Sequence, residues 1–153
     1  MTREKIRRAG RLLFLLLLVH GIGYIGGGYM TPEVMAWYHG LTKSALTPPD
    51  AVFGAVWSVL YTLMAVAAWI VWGRVSPRWF VLQLAANGLW PFVFFHLRMP
   101  AAALAVLIIM IGLLGRTMRG FSARSHLAAG LLAPTLAWGL FAAYLNAWIV
   151  VMN

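Results

Sequence analysis

Five long apolar stretches, joined by short polar connections, constrain this chain more than anything else in it. They run roughly over Leu12–Met30, Ala51–Trp72, Trp79–Leu97, Ala101–Met118 and Leu127–Val151. A hydrocarbon layer about 30 Å thick needs about 20 apolar residues in helical form. In lipid every backbone N–H and C=O must find its partner within the protein, which makes such stretches helices. The composition agrees: 63% of the 153 residues are hydrophobic and only 10% are charged, whereas soluble domains carry about 25% charged residues. The expected fold class is all-α, an integral membrane bundle of five transmembrane helices. It forms one domain over residues 1–153, with a basic tail at 1–11 and an outer loop or lid at 31–50.

Prolines mark the boundaries. Pro48-Pro49 precedes the second stretch, Ser76-Pro77 the third, and Pro100 opens the fourth. Proline at a helix start forfeits no intrahelical bond. Pro134 lies inside the fifth stretch and is placed to kink it. The first stretch has a competing reading as a cleaved leader, with Arg7, Arg8 and Arg11 before a leucine run. Against it, the apolar stretch continues past His20 to Met30 and no A-x-A site follows the leucines.

Charge orients the bundle. The tail (Arg3, Lys5, Arg7, Arg8, Arg11) and the loops after the second and fourth stretches (Arg74, Arg78; Arg116, Arg119, Arg124) hold ten of the twelve basic residues. The opposite side holds Lys43 and Arg98, balanced by Glu33 and Asp50. The positive-inside rule then puts the amino terminus in the cytoplasm and the carboxyl terminus and the 31–50 loop outside. A bacterial cytoplasmic membrane is the expected location. The net charge of +9 is spread over short runs between apolar segments. That suits anionic lipid headgroups and offers no continuous face for nucleic acid, so the bilayer is the expected macroscopic partner.

Three residue stripes point to a ligand site. Phe53, Trp57 and Tyr61 follow i, i+4, i+8; Gln83, Asn87 and Trp90 follow i, i+4, i+7; Pro134, Trp138, Ala142 and Asn146 follow i, i+4, i+8, i+12. Each set shares one helix face. Side-chain amides are costly against lipid, so Gln83, Asn87 and Asn146 turn their stripes inward, and the tryptophans with them. Indole walls with a few amide and hydroxyl groups suit a flat conjugated ligand. The same spacing is also what ordinary helix packing produces.

Other chemistries find little support. There is no cysteine, which removes disulfides, thiolate nucleophiles and thiolate metal ligands. His20, His39, His96 and His126 form no i, i+4 pair, so no metal centre is expected and only a lone axial haem ligand stays open. Glu4, Glu33 and Asp50 all lie outside the spans, leaving no intramembrane carboxylate for a proton relay. Small residues at Gly21–Gly28 and at Ala85, Ala86 and Gly88 permit close helix contact.

These segments in this order resemble the TspO/translocator protein family, the tryptophan-rich sensory proteins. The resemblance rests on Trp37-Tyr38, Lys43 and Pro48-Pro49; on Phe53, Trp57 and Leu60-Tyr61; on Gln83-Leu84, Asn87, Trp90 and Phe94-Phe95; and on Pro134, Trp138, Phe141-Ala142, Leu145-Asn146 and Asn153. It implies a five-helix bundle, usually a homodimer, whose pocket opens toward the first loop and binds protoporphyrin IX, haem, sterols or isoquinoline-type drugs. No cofactor is required. Trp37, Trp57, Asn87, Trp90, Trp138 and Ala142 match pocket positions, and Trp57 and Trp138 match the tryptophans proposed for light-dependent porphyrin breakdown. The expected function is therefore porphyrin or haem binding for tetrapyrrole transport or sensing. The alternatives are a light-dependent porphyrin-degrading enzyme and a small transporter or membrane-partner subunit without its own ligand. The expected ligand-binding residues are Trp37, Phe53, Trp57, Tyr61, Asn87, Trp90, Trp138, Phe141, Ala142 and Asn146.

Two departures stand out. The family's Lys-Pro-x-Trp-x-Pro-Pro reads here Lys43-Ser44-Ala45-Leu46-Thr47-Pro48-Pro49, without the lid Pro and Trp. Ala147 stands where a cholesterol-recognition pattern would place tyrosine, and no Lys or Arg follows it, which counts against sterol binding.

Overall fold

A computed structural model describes residues 3–153, and among them the regular structure is entirely helical. Helix α1 runs Arg3–Gly27. The basic residues expected in a separate tail thus form the first turns of α1; Met1 and Thr2 lie outside the described residues. Arg, Lys and Leu are good helix formers, and the one glycine before the apolar run, Gly10, costs the helix only about 1 kcal/mol. Those turns are tied to the far end of α3 (Asp50–Ile70). The Trp69 indole donates to the Arg8 carbonyl at 3.0 Å, and the Arg11 guanidinium lies 5.9 Å from the Trp72 ring centre.

The 31–50 segment contains a helix of its own, α2 (Pro32–Gly40). Its start is written in Thr31-Pro32-Glu33: the Thr31 hydroxyl accepts from the Val34 N–H, Pro32 occupies the first turn, and Glu33 sits at the positive end of the helix dipole. The Thr31 hydrogen bond is the main reason the Glu33 carboxyl titrates below its ordinary range.

Helix α4 covers Arg78–Pro91, and Phe92–His96 continues it as a wider π-helical turn. Pro91 lacks the N–H that regular α-helical pairing needs, and the ladder loosens in the residues that follow. After a short connection, α5 spans Pro100–Ser122. The fifth apolar stretch is broken into α6 (His126–Gly130) and α7 (Ala133–Met152), the break falling just before Pro134. Among the described residues, four helical stretches are long and apolar enough to cross a membrane: Arg3–Gly27, Asp50–Ile70, Pro100–Ser122 and His126–Met152. The third expected span is the exception. As a regular helix it reaches only 14 residues.

Helix α1 packs against α3 and α4, α4 against α5, and α5 against α6 and α7. The basic end is closed by a core that includes Leu15, Val19, Met64, Leu84, Leu114 and Leu132. Toward the other end the packing depends on missing side chains. A Cβ on Gly23 would stand 2.1 Å from the Tyr61 ring, and one on Gly26 would stand 2.8 Å from Pro91. Only glycine permits these approaches.

Candidate functional site

Above that core, between α1, α3, α4, α7 and the underside of α2, lies a cavity of about 560 Å³. Such a volume falls within the range of small-molecule sites. Helix α3 contributes Phe53, Trp57 and Tyr61; α4 contributes Asn87, Trp90 and Pro91, followed by Phe94 and Phe95 of the π turn; α7 contributes Ala142, Leu145, Asn146 and Ile149. From α1 come His20, Gly23, Tyr24, Gly26 and Gly27, and from α2 Met35 and Tyr38. The exposed lining residues Tyr24, Gly27, Met30, Asp50, Gly54 and Ser58 all belong to α1, α3 or the segment after α1. The cavity therefore opens between α1 and α3 and is closed by α4 and α7.

Seven of the ten residues expected to bind ligand are on this lining: Phe53, Trp57, Tyr61, Asn87, Trp90, Ala142 and Asn146. Trp37, Trp138 and Phe141 are not among the lining residues. Trp37 packs on Phe94 at 5.9 Å, with the Arg98 guanidinium 5.8 Å from its ring. Its neighbour Tyr38 faces the cavity instead, because consecutive helical residues point about 100° apart. Trp138 lies edge-on to Phe53 at 5.9 Å and against Phe141 at 5.4 Å, so it touches the lining through Phe53.

The amides fix the aromatic walls. Trp57 and Tyr61 stack at 5.4 Å, and the Tyr61 hydroxyl donates to Asn87 Oδ1 at 2.9 Å. The Trp90 indole donates to Asn146 Oδ1 at 3.1 Å, and Asn146 Nδ2 donates to the Pro100 carbonyl at 2.8 Å. Each amide is almost fully buried, as the cost of a polar group facing lipid requires. Gln83 is also buried, but it lies below the cavity, where its Nε2 meets Met64 Sδ at 3.6 Å.

The loop after α2 is fastened to α2 and to α7. Lys43 donates to the Tyr38 and His39 carbonyls at 3.0 and 3.3 Å and lies over the Tyr38 ring. Ser44 pairs with the Tyr144 hydroxyl at 3.0 Å. Thr42 donates its N–H to Asn153 Oδ1 at 2.8 Å and accepts from Asn153 Nδ2 at 3.2 Å. His39 and Asp50 bridge the ends of α2 and α3 at 2.7 Å. Burial, and then the Asp50 charge, push the Tyr38 phenol above its ordinary pKa.

Sequence reasoning missed His20, Tyr38 and the glycine wall of α1 as lining. The signal for the wall was present in Gly21–Gly28, but close helix contact and a bare cavity wall have the same signature. No local pattern marks His20.

Known proteins place this arrangement. Residues 14–152 match the TspO/MBR family. The chain is 35% identical over 150 residues to the tryptophan-rich protein TspO of Archaeoglobus fulgidus, covering 94% of this chain and 97% of that one. It is 35% identical over 132 residues to the human translocator protein, covering 80% and 78%. To the tryptophan-rich sensory protein of Cereibacter sphaeroides it is 35% identical over 139 residues, covering 88% and 87%. The chain belongs to the TspO/MBR family of membrane proteins.

Proposed function

We propose that this protein binds flat, conjugated, largely apolar ligands of the porphyrin class in the cavity under α2, for tetrapyrrole transport or sensing. The observation that carries the reading is the aromatic cavity itself: Trp57 stacked on Tyr61, with Trp90 and Phe94 lining it from a second helix, and with the Tyr61 hydroxyl and the Trp90 N–H engaged by protein partners. Such walls offer π faces and apolar area rather than free hydrogen bonds. Translocation and sensing are named for two of the relatives, which supports transport or sensing as the task.

The reading includes a fifth crossing. The five residues Phe92–His96 extend the 14 of α4, bringing the helical path close to the length a bilayer demands. With the arginine-rich end in the cytoplasm, the cavity opens in the outer half of the membrane. A homodimer is the expected assembly.

The test is titration of purified protein with metal-free protoporphyrin IX, read from the porphyrin absorbance band. Loss of one stacking indole is worth about 1.4 kcal/mol, so Trp57→Ala and Trp90→Ala are each expected to weaken binding about tenfold. Trp138→Ala should do less. Wild-type affinity in both lining variants would exclude this cavity as the site.

A further inference from the structure

His20 is the one imidazole on the cavity lining. Its Nε2 lies 3.1 Å from the Thr62 hydroxyl oxygen. That oxygen is also 3.0 Å from the Ser58 carbonyl, which can only accept, so the single hydroxyl proton is committed there. Thr62 must then accept from His20. Nε2 carries the imidazole proton, and the lone pair is left on Nδ1. No hydrogen bond engages Nδ1 among the described residues. The ring is held edge-on to Tyr61 at 5.9 Å, and Tyr61 is itself fixed by Trp57 and Asn87.

An imidazole whose N–H is tied to a protein oxygen, with its other nitrogen free, is set up as a metal ligand. A bare metal ion would need more donors. No cluster of three or more His, Cys, Asp or Glu able to hold one exists among the described residues. Asp50, the lining carboxylate, pairs with His39 and stands about 18 Å along α3 from Thr62. A single nitrogen can instead complete the shell of a metal already held in plane by a macrocycle.

Resting on the porphyrin reading above, we infer that His20 is an axial ligand through which the cavity prefers metallated over metal-free porphyrins. The step is a ligand exchange. The Nδ1 lone pair forms the bond to the metal, a weakly held axial water leaves, and the oxidation state does not change.

The experiment uses the full chain in lipid nanodiscs, titrated separately with ferric haem and with metal-free protoporphyrin IX. Absorbance and electron paramagnetic resonance report the haem ligand. Wild type is expected to give the spectrum of imidazole-ligated haem. His20→Ala should lose that spectrum and weaken haem binding about tenfold or more, while metal-free porphyrin binds within about twofold of wild type. Added imidazole should restore the spectrum. His20→Gln, which can keep the contact to Thr62, guards against a folding defect and should lose the spectrum likewise; His96→Ala should keep it. An unchanged haem spectrum in both His20 variants, or equal loss of both porphyrins, overturns the inference and leaves the porphyrin site standing. If wild type binds neither ring, the porphyrin reading itself falls, and this inference with it.

Discussion

Replacing Gly23 with alanine tests the fit between α1 and α3, because the two effects of the change have opposite signs. In a helix interior, Gly→Ala alone stabilises by about 0.5–1 kcal/mol. Here the new methyl would lie 2.1 Å from Tyr61 Cε2. The ring would have to retreat by about 1.5 Å to reach van der Waals separation. It has little freedom to do so, being buried, stacked on Trp57 and bonded to Asn87 at 2.9 Å. Overpacking of this kind costs about 1–3 kcal/mol, and leaving the buried Asn87 oxygen without its donor adds about 1–3 kcal/mol. The net expectation is a loss of about 1–5 kcal/mol, measured by reversible unfolding in mixed micelles, with porphyrin affinity falling as the Trp57–Tyr61 wall shifts. In a Tyr61→Ala background the obstacle is gone and the same change should recover the propensity gain, giving a coupling of about 2 kcal/mol or more in the double-mutant cycle. Gly23→Ala that stabilises the wild type, or costs the same in both backgrounds, would refute this account of the contact.

Asn146→Leu keeps the side-chain branching but strands the Trp90 N–H and deprives the Pro100 carbonyl of its partner; a loss of about 1–3 kcal/mol is expected in the same unfolding assay. Asn153→Ala frees both backbone groups of Thr42 at an exposed site. Overall stability should change by less than about 1 kcal/mol, while amide exchange in residues 41–47 speeds up. Burial raises the Tyr38 phenol, so the folded state holds that proton above the pH at which the unfolded chain releases it. The corresponding stability is complete below about pH 10 and declines as pH rises further. The melting temperature of wild type should therefore fall more steeply in alkaline solution than that of Tyr38→Phe.

The sequence was most legible where one physical rule dominated. Hydrocarbon thickness and apolar length located α1, α3, α5 and the α6–α7 stretch, and the cost of a buried amide turned Asn87 and Asn146 inward as expected. It was least legible where two rules competed. Pro91 lies inside an apolar run that length alone reads as one continuous helix, and the π turn at Phe92–His96 follows it. Thr31-Pro32-Glu33 is a helix start that hydropathy does not register. Periodicity put Trp138 and Ala142 on one face, but only Ala142 reaches the cavity, because Phe53 fills the space in front of the indole. His20 depended on a partner 42 residues away, which no local pattern contains.

The hydrogen bonds that hold the walls also set what the cavity can select. The Tyr61 hydroxyl is spent on Asn87, the Trp90 N–H on Asn146, and the Asn146 amide on Pro100. A guest meets these groups with their polar atoms already satisfied, so affinity has to come from apolar area and ring stacking. Those forces scarcely distinguish one flat macrocycle from another of the same outline. Discrimination falls to groups left with unspent capacity. Among the lining residues, no hydrogen bond within the described residues engages the Trp57 N–H or the His20 Nδ1 lone pair, and Asp50 has a charge at the rim already shared with His39. A ring of the right outline that also carries a metal gains a bond where a metal-free ring gains only contact, and Thr62 decides which nitrogen is available to make it.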